Sequence, residues 1–266
     1  MALLFKSGSK PESVGDKKKM TPAEEAVDLA KTVVYAVAIA VVLRVIFFQP
    51  FNIPSGSMKP NLLIGDFLFV SKPTYGYSRA SLVWPLTRLP LEGRLFGRAP
   101  ERGDVVVFKN RKDNNKDYIK RVIGLPGDSI EVIGGRLSIN GAPVRKEFIG
   151  EISATCRGVG ATTPAYRETL DTGVSYTVAE CAGDEGPLDN VGPYQVPAGH
   201  YFMMGDNRDD SQDSRVINAV GYVALDDIVG RADRLFFSVN GEKAKLWEVW
   251  KWPFAIRYSR ILDKVE

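Results

Sequence analysis

Ser57 and Lys120 are the residues of this chain whose types suit acyl hydrolysis. Ser57 lies in Ile53-Pro54-Ser55-Gly56-Ser57-Met58-Lys59-Pro60, directly after an apolar segment, and Lys120 lies in the alternating run Asp117-Tyr118-Ile119-Lys120-Arg121. A serine hydroxyl is a weak nucleophile near neutrality and needs a base beside it. The chain holds 1 histidine, His200. A serine hydrolase built on this sequence therefore takes its base from His200 or from a lysine held neutral. His200 follows Pro197-Ala198-Gly199 and reads as a surface-turn histidine, with a triad role as the alternative.

The strand pattern puts Tyr118, Lys120 and Val122 on one face and Ile119, Arg121 and Ile123 on the other. Burial among such neighbours disfavours the charged amine and lowers its pKa, which makes it a usable base. The competing reading is an exposed lysine that protects a sheet edge. Gly56 permits a tight backbone approach and Pro54 stiffens the entry to Ser57. The Ser57 amide and the Ser55 hydroxyl would then form a pair of oxyanion donors. By composition alone, a Pro-Ser-Gly-Ser stretch is also an ordinary turn.

A third polar segment, Gly205-Asp206-Asn207-Arg208-Asp209-Asp210-Ser211-Gln212-Asp213-Ser214-Arg215, follows an apolar strand. It lacks the ligand order, central glycine and terminal glutamate of a calcium loop. It reads as a hydrogen-bonded platform in which Asp213 pairs with Arg215 and Ser211 or Ser214 faces a site, or else as a solvated loop.

The elements that must position these groups begin with a long helix. Thr21-Pro22-Ala23-Glu24 is a helix start, with a capping threonine, proline at the first position and glutamate where a capping box wants it. The helix is expected to run to about Phe48. Thr32 to Phe48 is apolar apart from Arg44, and its 17 residues span about 26 Å, near the lower limit for a bilayer. Residues 21–48 are therefore expected to form an uncleaved transmembrane helix, since Phe47-Phe48-Gln49-Pro50-Phe51 offers no small-residue cleavage site. A buried core helix or an interfacial helix is the alternative. Residues 1–20 read as a cytoplasmic tail. Lys10, Lys17, Lys18, Lys19 and Lys31 precede the span and keep the N-terminus in the cytoplasm. The rest then lies in the periplasm or outside the cell.

Beyond Gln49 short strands dominate. Phe67–Val70, Asp104–Lys109 and Tyr118–Ile123 are β-branched or aromatic, and Ile228–Val239 is a long strand candidate. Glu131–Ile133, Gly134-Gly135 and Arg136–Ile139 form a hairpin signal, with a second turn at Asn140-Gly141. The expected fold is mainly β: a transmembrane helix followed by a β-rich domain of coiled or barrel-like antiparallel sheets, over residues 49–141 and 193–266. Residues 142–192, with weaker periodicity and both cysteines, read as an inserted subdomain. Residues 78–100 read as irregular. Trp247, Trp250, Trp252 and Phe254 among basic residues suit a membrane interface or ordinary terminal packing.

Composition narrows the rest. The chain has 266 residues, 44% hydrophobic and 25% charged, which suits one large folded domain or two small ones. A net charge of +3 is too small to argue for a nucleic-acid partner. No zinc-type Cys/His spacing and no phosphate loop occurs. Cys156 and Cys181 are expected to form a disulfide if the domain is exported, and to be free thiols otherwise.

Taken together, these segments resemble the type I signal peptidases, membrane-anchored Ser/Lys endopeptidases. The resemblance covers the anchor, the Ser57 segment through Leu68, Arg102-Gly103-Asp104 to Lys109, Asp117–Arg121 through Gly124-Leu125-Pro126-Gly127-Asp128, Tyr201–Arg215 and Ile228–Ala232. That is about half the chain, in the family's order. It implies a β-rich catalytic domain at the bacterial inner membrane that cleaves signal peptides from exported preproteins after small residues. It implies Ser57 as nucleophile, Lys120 as general base, and the Ser55 hydroxyl with the Ser57 amide as oxyanion hole. Ser211 would orient the lysine, with Asp213 and Arg215 in support. Ile53, Pro54, Met58, Leu62, Tyr118 and Ile119 would line shallow pockets for small side chains. The implied partners are preprotein signal peptides and the lipid bilayer, with no cofactor and no metal. Asn61 stands where the family usually has threonine or serine, one span is apparent where some members have two, and the family's cysteine positions do not carry over. The remaining alternatives are a specialised Ser/Lys maturation peptidase, a self-cleaving repressor-type peptidase, or a non-catalytic membrane-anchored β-domain.

Overall fold

The computed structural model describes residues 21–82, 86–88, 93–156, 159–241 and 248–265. The tail at 1–20, Trp84 and Trp247 lie outside the described residues. Two units are distinguished, residues 1–41 and 42–266.

Helix α1, Pro22–Ile46, opens on the expected capping box: Thr21 N–H donates to Glu24 Oε2 at 2.7 Å, and Glu24 N–H to Thr21 Oγ1 at 3.4 Å. Val27, Leu29, Val33, Val34, Tyr35, Val37 and Ile39 are all exposed along it. A helix that is apolar on every side from Thr32 to Leu43, with no buried residue among those described, differs from the core helix of a soluble domain. Its length and composition suffice to cross a membrane. It ends at Ile46, two residues short of the expected Phe48. Pro50 has no N–H to give the Ile46 carbonyl, so the ladder stops there. Tyr77 O–H satisfies that carbonyl instead, at 2.7 Å.

The chain then enters β1, Phe48–Asn52. This strand carries Pro50 and pairs only with β2, Asp66–Ser71, the edge position that tolerates proline. The main sheet adds β3 (Val105–Asn110), β4 (Lys116–Gly124), β12 (His200–Met204), β13 (Val223–Ala224) and β14 (Ile228–Ser238), in the order β1-β2-β14-β3-β4-β12-β13. Every pairing in it is antiparallel. The two edge strands do not meet, so the sheet is open and not a closed barrel. Both faces of β3 are covered: Val105 and Val107 pack with Leu68, Val229 and Leu235, while Val106 and Phe108 pack with Val122, Met203 and Ile228. This two-residue alternation is what a twice-covered strand requires.

A four-stranded sheet, in the order β11-β5-β6-β7, contains β5 (Ser129–Ile133), β6 (Arg136–Ile139), β7 (Ala142–Pro143) and β11 (Val191–Gln195). Its hairpin turns at Gly134-Gly135 as expected, both at positive φ. The remaining strands, β8 (Arg145–Cys156), β9 (Val159–Thr169) and β10 (Ser175–Ala179), make a separate three-stranded antiparallel sheet. It falls within the stretch expected to be an insertion, although Ala142–Pro143 and Val191 at the margins pair with the four-stranded sheet. Cys156 and Cys181 are disulfide-bonded. After β14 the only described α-helix is α2, Trp252–Ala255.

Candidate active site

Ser57 sits in a turn after β1, held at its base by the core. Ile53, Met58 and Leu62 pack inward with Leu68, Val105 and Ile119. Leu62 N–H donates to the Met58 carbonyl at 2.9 Å. Burying the side chains on either side of Ser57 fixes the backbone that carries it. Lys120 comes from the middle of β4, opposite Val106 of β3. From Ile119 to Gly124 every residue of β4 is buried, so the lysine is not an exposed edge residue.

Lys120 Nζ lies 2.5 Å from Ser57 Oγ, between residues 63 positions apart in sequence. Both side chains are buried, Lys120 at 3% exposure. Burial lowers the Lys120 pKa from 10.5 to about 8; Asp213 and Asp206 oppose that shift and Arg215 adds to it. A neutral amine at this distance can accept the serine proton. Ser55 Oγ is 3.5 Å from Ser57 Oγ, on the same small loop. Both serines open onto a cleft of about 610 Å³, lined by Pro54, Tyr118, Ile119, Lys120, Asp209, Ser211 and Gln212 among others.

The wall opposite Lys120 is the loop after β12. Asp213 and Arg215 form a fully buried bidentate pair, both contacts at 2.9 Å. Burial alone opposes ionisation of Asp213, but Arg215 and the Gly205 amide hold its carboxyl below the usual range. Gly205 has no room for a side chain, because a Cβ there would collide with Ser211 and the Ser57 carbonyl.

Of the residues expected at the site, Ser55, Ser57, Lys120, Ser211, Pro54, Tyr118 and Ile119 line one cleft. Ile53, Met58 and Leu62 do not; they lie beneath it, at 3%, 0% and 1% exposure. Their apolar side chains follow the core-facing spacing of the turn, which the sequence cannot distinguish from pocket lining. The Ser211 hydroxyl is buried and has no hydrogen-bond partner among the described residues, so it makes no hydrogen bond to the lysine amine in this geometry. His200 is elsewhere. It begins β12, with Nδ1 3.0 Å from the Ala198 carbonyl, and borders a different cavity with Lys112 and Asp227.

Several residues bind the site together without any local signal. Asn207 N–H donates to the Ser57 carbonyl at 3.0 Å, and its side chain donates to the Gly56 carbonyl at 3.3 Å. Arg121, next to Lys120, grips Asp206 at 2.8 and 2.7 Å, both residues buried. Asn61, which departs from the family's usual residue, donates to Asp206 Oδ2 and the Thr177 carbonyl, each at 2.7 Å.

The profile of the family described as signal peptidase, peptidase S26 matches residues 26–237. The chain belongs to this signal peptidase family. It is similar to the signal peptidase I of Rickettsia typhi, 37% identical over 245 residues, which cover 87% of this chain and 90% of that protein. It is 38% identical to the signal peptidase I of Rickettsia conorii over 212 residues, 77% of each chain. A crystal structure of a signal peptidase I from Enterococcus faecalis overlaps 50% of this chain and 97% of its own, with 24% identity and a TM-score of 0.31. The matched span contains Ser57, Lys120 and the whole 205–215 loop.

Proposed function

We propose that this chain is a membrane-anchored serine endopeptidase that removes signal peptides from exported preproteins, using Ser57 as nucleophile and Lys120 as general base. The observation that carries this reading is the buried Lys120 amine 2.5 Å from the Ser57 hydroxyl. Neutral Lys120 takes the proton as Ser57 Oγ attacks the scissile carbonyl. The Ser57 amide and the Ser55 hydroxyl receive the oxyanion. Lys120, now charged, protonates the leaving amine, and water then releases the acyl group from Ser57.

The preprotein's cleavage segment lies in the cleft as an extended strand along Asp117–Lys120. On that side of β4 the ladder with β12 covers only Arg121–Gly124, which leaves the segment's backbone room to pair. Pro54, Tyr118 and Ile119 limit the side chains beside the cut to small ones. Helix α1 anchors the chain in the bacterial plasma membrane with its N-terminus in the cytoplasm. The catalytic domain then lies beyond the membrane, where a Cys156–Cys181 disulfide is at home.

The test is cleavage of a model preprotein by the full chain in detergent, with the cut located by mass. Ser57→Ala and Lys120→Ala should each abolish cleavage while leaving the circular-dichroism spectrum unchanged. Retained activity in either folded variant would refute the assignment.

A further inference from the structure

The loop that carries Asn207 is clamped from two sides. One side is the Ser57 turn, through the two Asn207 contacts. The other is the three-stranded sheet β8–β10. Ala179, at the end of β10, bridges in parallel to Asn207, and its N–H donates to the Asp206 carbonyl at 2.9 Å. Ala182 N–H donates to Asp209 Oδ2 at 2.8 Å. Glu168 of β9 receives both arms of Arg208, at 2.7 and 2.5 Å, and also accepts the Tyr176 hydroxyl at 2.8 Å. The Tyr176 ring in turn lies under the Arg121 guanidinium, 4.1 Å from its centre. Glu168, Arg208 and Tyr176 are all buried.

The far side of this contact is itself braced. Lys146 of β8 pairs with Glu180 at 2.5 Å, and Thr163 Oγ1 donates to the Glu180 carbonyl at 2.8 Å. The disulfide joins Cys181 to Cys156 immediately afterwards. A buried ion pair is a poor device for stability alone, since apolar packing of the same volume often does better. A bidentate arginine–carboxylate pair instead fixes orientation. Here it fixes residues 206–209, which hold the Ser57 carbonyl and the Arg121 neighbour of Lys120.

We propose that the inserted sheet β8–β10 is a positioning element of the active site, with Glu168 acting through Arg208 and Asn207 to hold Ser57 in register with Lys120. This rests on Ser57 and Lys120 being the catalytic pair. It assigns the insertion a role in the reaction rather than in binding a partner. Loosening the clamp lets the serine turn drift and water reach the amine. Small displacements of a nucleophile cost roughly a hundredfold in rate, and hydration returns the lysine toward its ordinary pKa.

The decisive experiment compares Glu168→Gln with the wild-type chain in detergent, measuring kcat, KM and the pH dependence of preprotein cleavage. The expected result is a kcat at least about tenfold lower, KM within about twofold, and a rising limb of the pH–rate profile moved to higher pH. Arg145→Gln, which breaks only the exposed Arg145–Glu147 pair on β8, leaves all three unchanged. Should Glu168→Gln fail to fold, Tyr176→Phe removes one hydrogen bond to Glu168 and is expected to lower kcat about threefold with the same shift in direction. A folded variant with wild-type kcat and an unmoved limb overturns the inference. Wild-type cleavage that Ser57→Ala abolishes secures the underlying assignment separately, so a silent Glu168→Gln counts against the positioning role alone.

Discussion

Replacing Lys120 with methionine should abolish cleavage and make the chain more stable near neutrality. Methionine nearly matches the lysine stem in volume and has no charge to desolvate. Burial lowers the Lys120 pKa from 10.5 to about 8, and each pKa unit corresponds to about 1.4 kcal/mol, so holding the charged amine in place costs about 3 kcal/mol. Loss of the hydrogen bond to Ser57 returns about 1 kcal/mol of that. The net gain is about 2 kcal/mol, a rise in melting temperature of about 4–8 °C for a domain of this size.

The gain also has a pH signature. The folded-state pKa lies below the unfolded one, so the unfolded chain binds more protons between about 8 and 10.5 and wild-type stability rises across that window. The penalty is fully present below about pH 8 and fades above it, and the advantage of Lys120→Met fades with it. Thermal unfolding of both full chains in the same detergent, followed by near-ultraviolet circular dichroism near pH 7 and again near pH 10, measures this. A variant that melts below wild type near pH 7, or an advantage that does not shrink with pH, would refute the reasoning that burial is what activates this amine.

Cleavage should rise with pH through a midpoint near about 8, because only neutral Lys120 can take the serine proton; a flat profile from pH 6 to 9 would exclude a buried amine as base. Arg215→Gln should move that midpoint upward, since it releases the Asp213 charge to favour protonated Lys120. Gly205→Ala should lower kcat by more than about tenfold while the fold persists, because the new methyl displaces Ser211 and the Ser57 carbonyl; equal kcat in a folded variant would show that the loop gives way freely. Asp206→Ala leaves the fully buried Arg121 without its carboxylate and should cost about 3–5 kcal/mol in denaturant unfolding.

How far the sequence could be read depended on the range of the interactions involved. The hairpin at Gly134-Gly135 was legible because two glycines at positive φ and flanking alternation are local facts. The capping box at Thr21 and Glu24 was legible for the same reason. Strands β8 and β9 were not, because Gly150, Gly160 and Pro164 interrupt the β-branched pattern, and cross-strand pairing through a bulge near Gly150 overrides that weak propensity. The pairing of Ser57 with Lys120 came from family resemblance, since nothing local says that residues 63 positions apart will touch. Glu168 and Asn207 were missed altogether. Glu168 reads as a strand glutamate and Asn207 as one polar residue among many; only the docking of one sheet on another loop makes either one significant.

The arrangement of charge around Lys120 follows from what a neutral lysine requires. Burial alone does not keep an amine uncharged if a carboxylate lies within reach, because the pair would then ionise together. Two carboxylates, Asp213 and Asp206, do raise the Lys120 pKa. Each is already committed to an arginine, Asp213 to Arg215 and Asp206 to Arg121, through two contacts of 2.9 Å or less. The arginines cannot give up their protons in this range, so each carboxylate keeps a cationic partner other than the lysine. Arg215 goes further and itself lowers the Lys120 pKa. The polar residues of the 205–215 loop thus supply structure and hydrogen bonding close to the base, while Arg215 offsets part of the field that would protonate it and burial outweighs the rest. A loop of plain apolar residues would leave the amine equally dry, but it would lack the directed contacts that fix the Ser57 carbonyl.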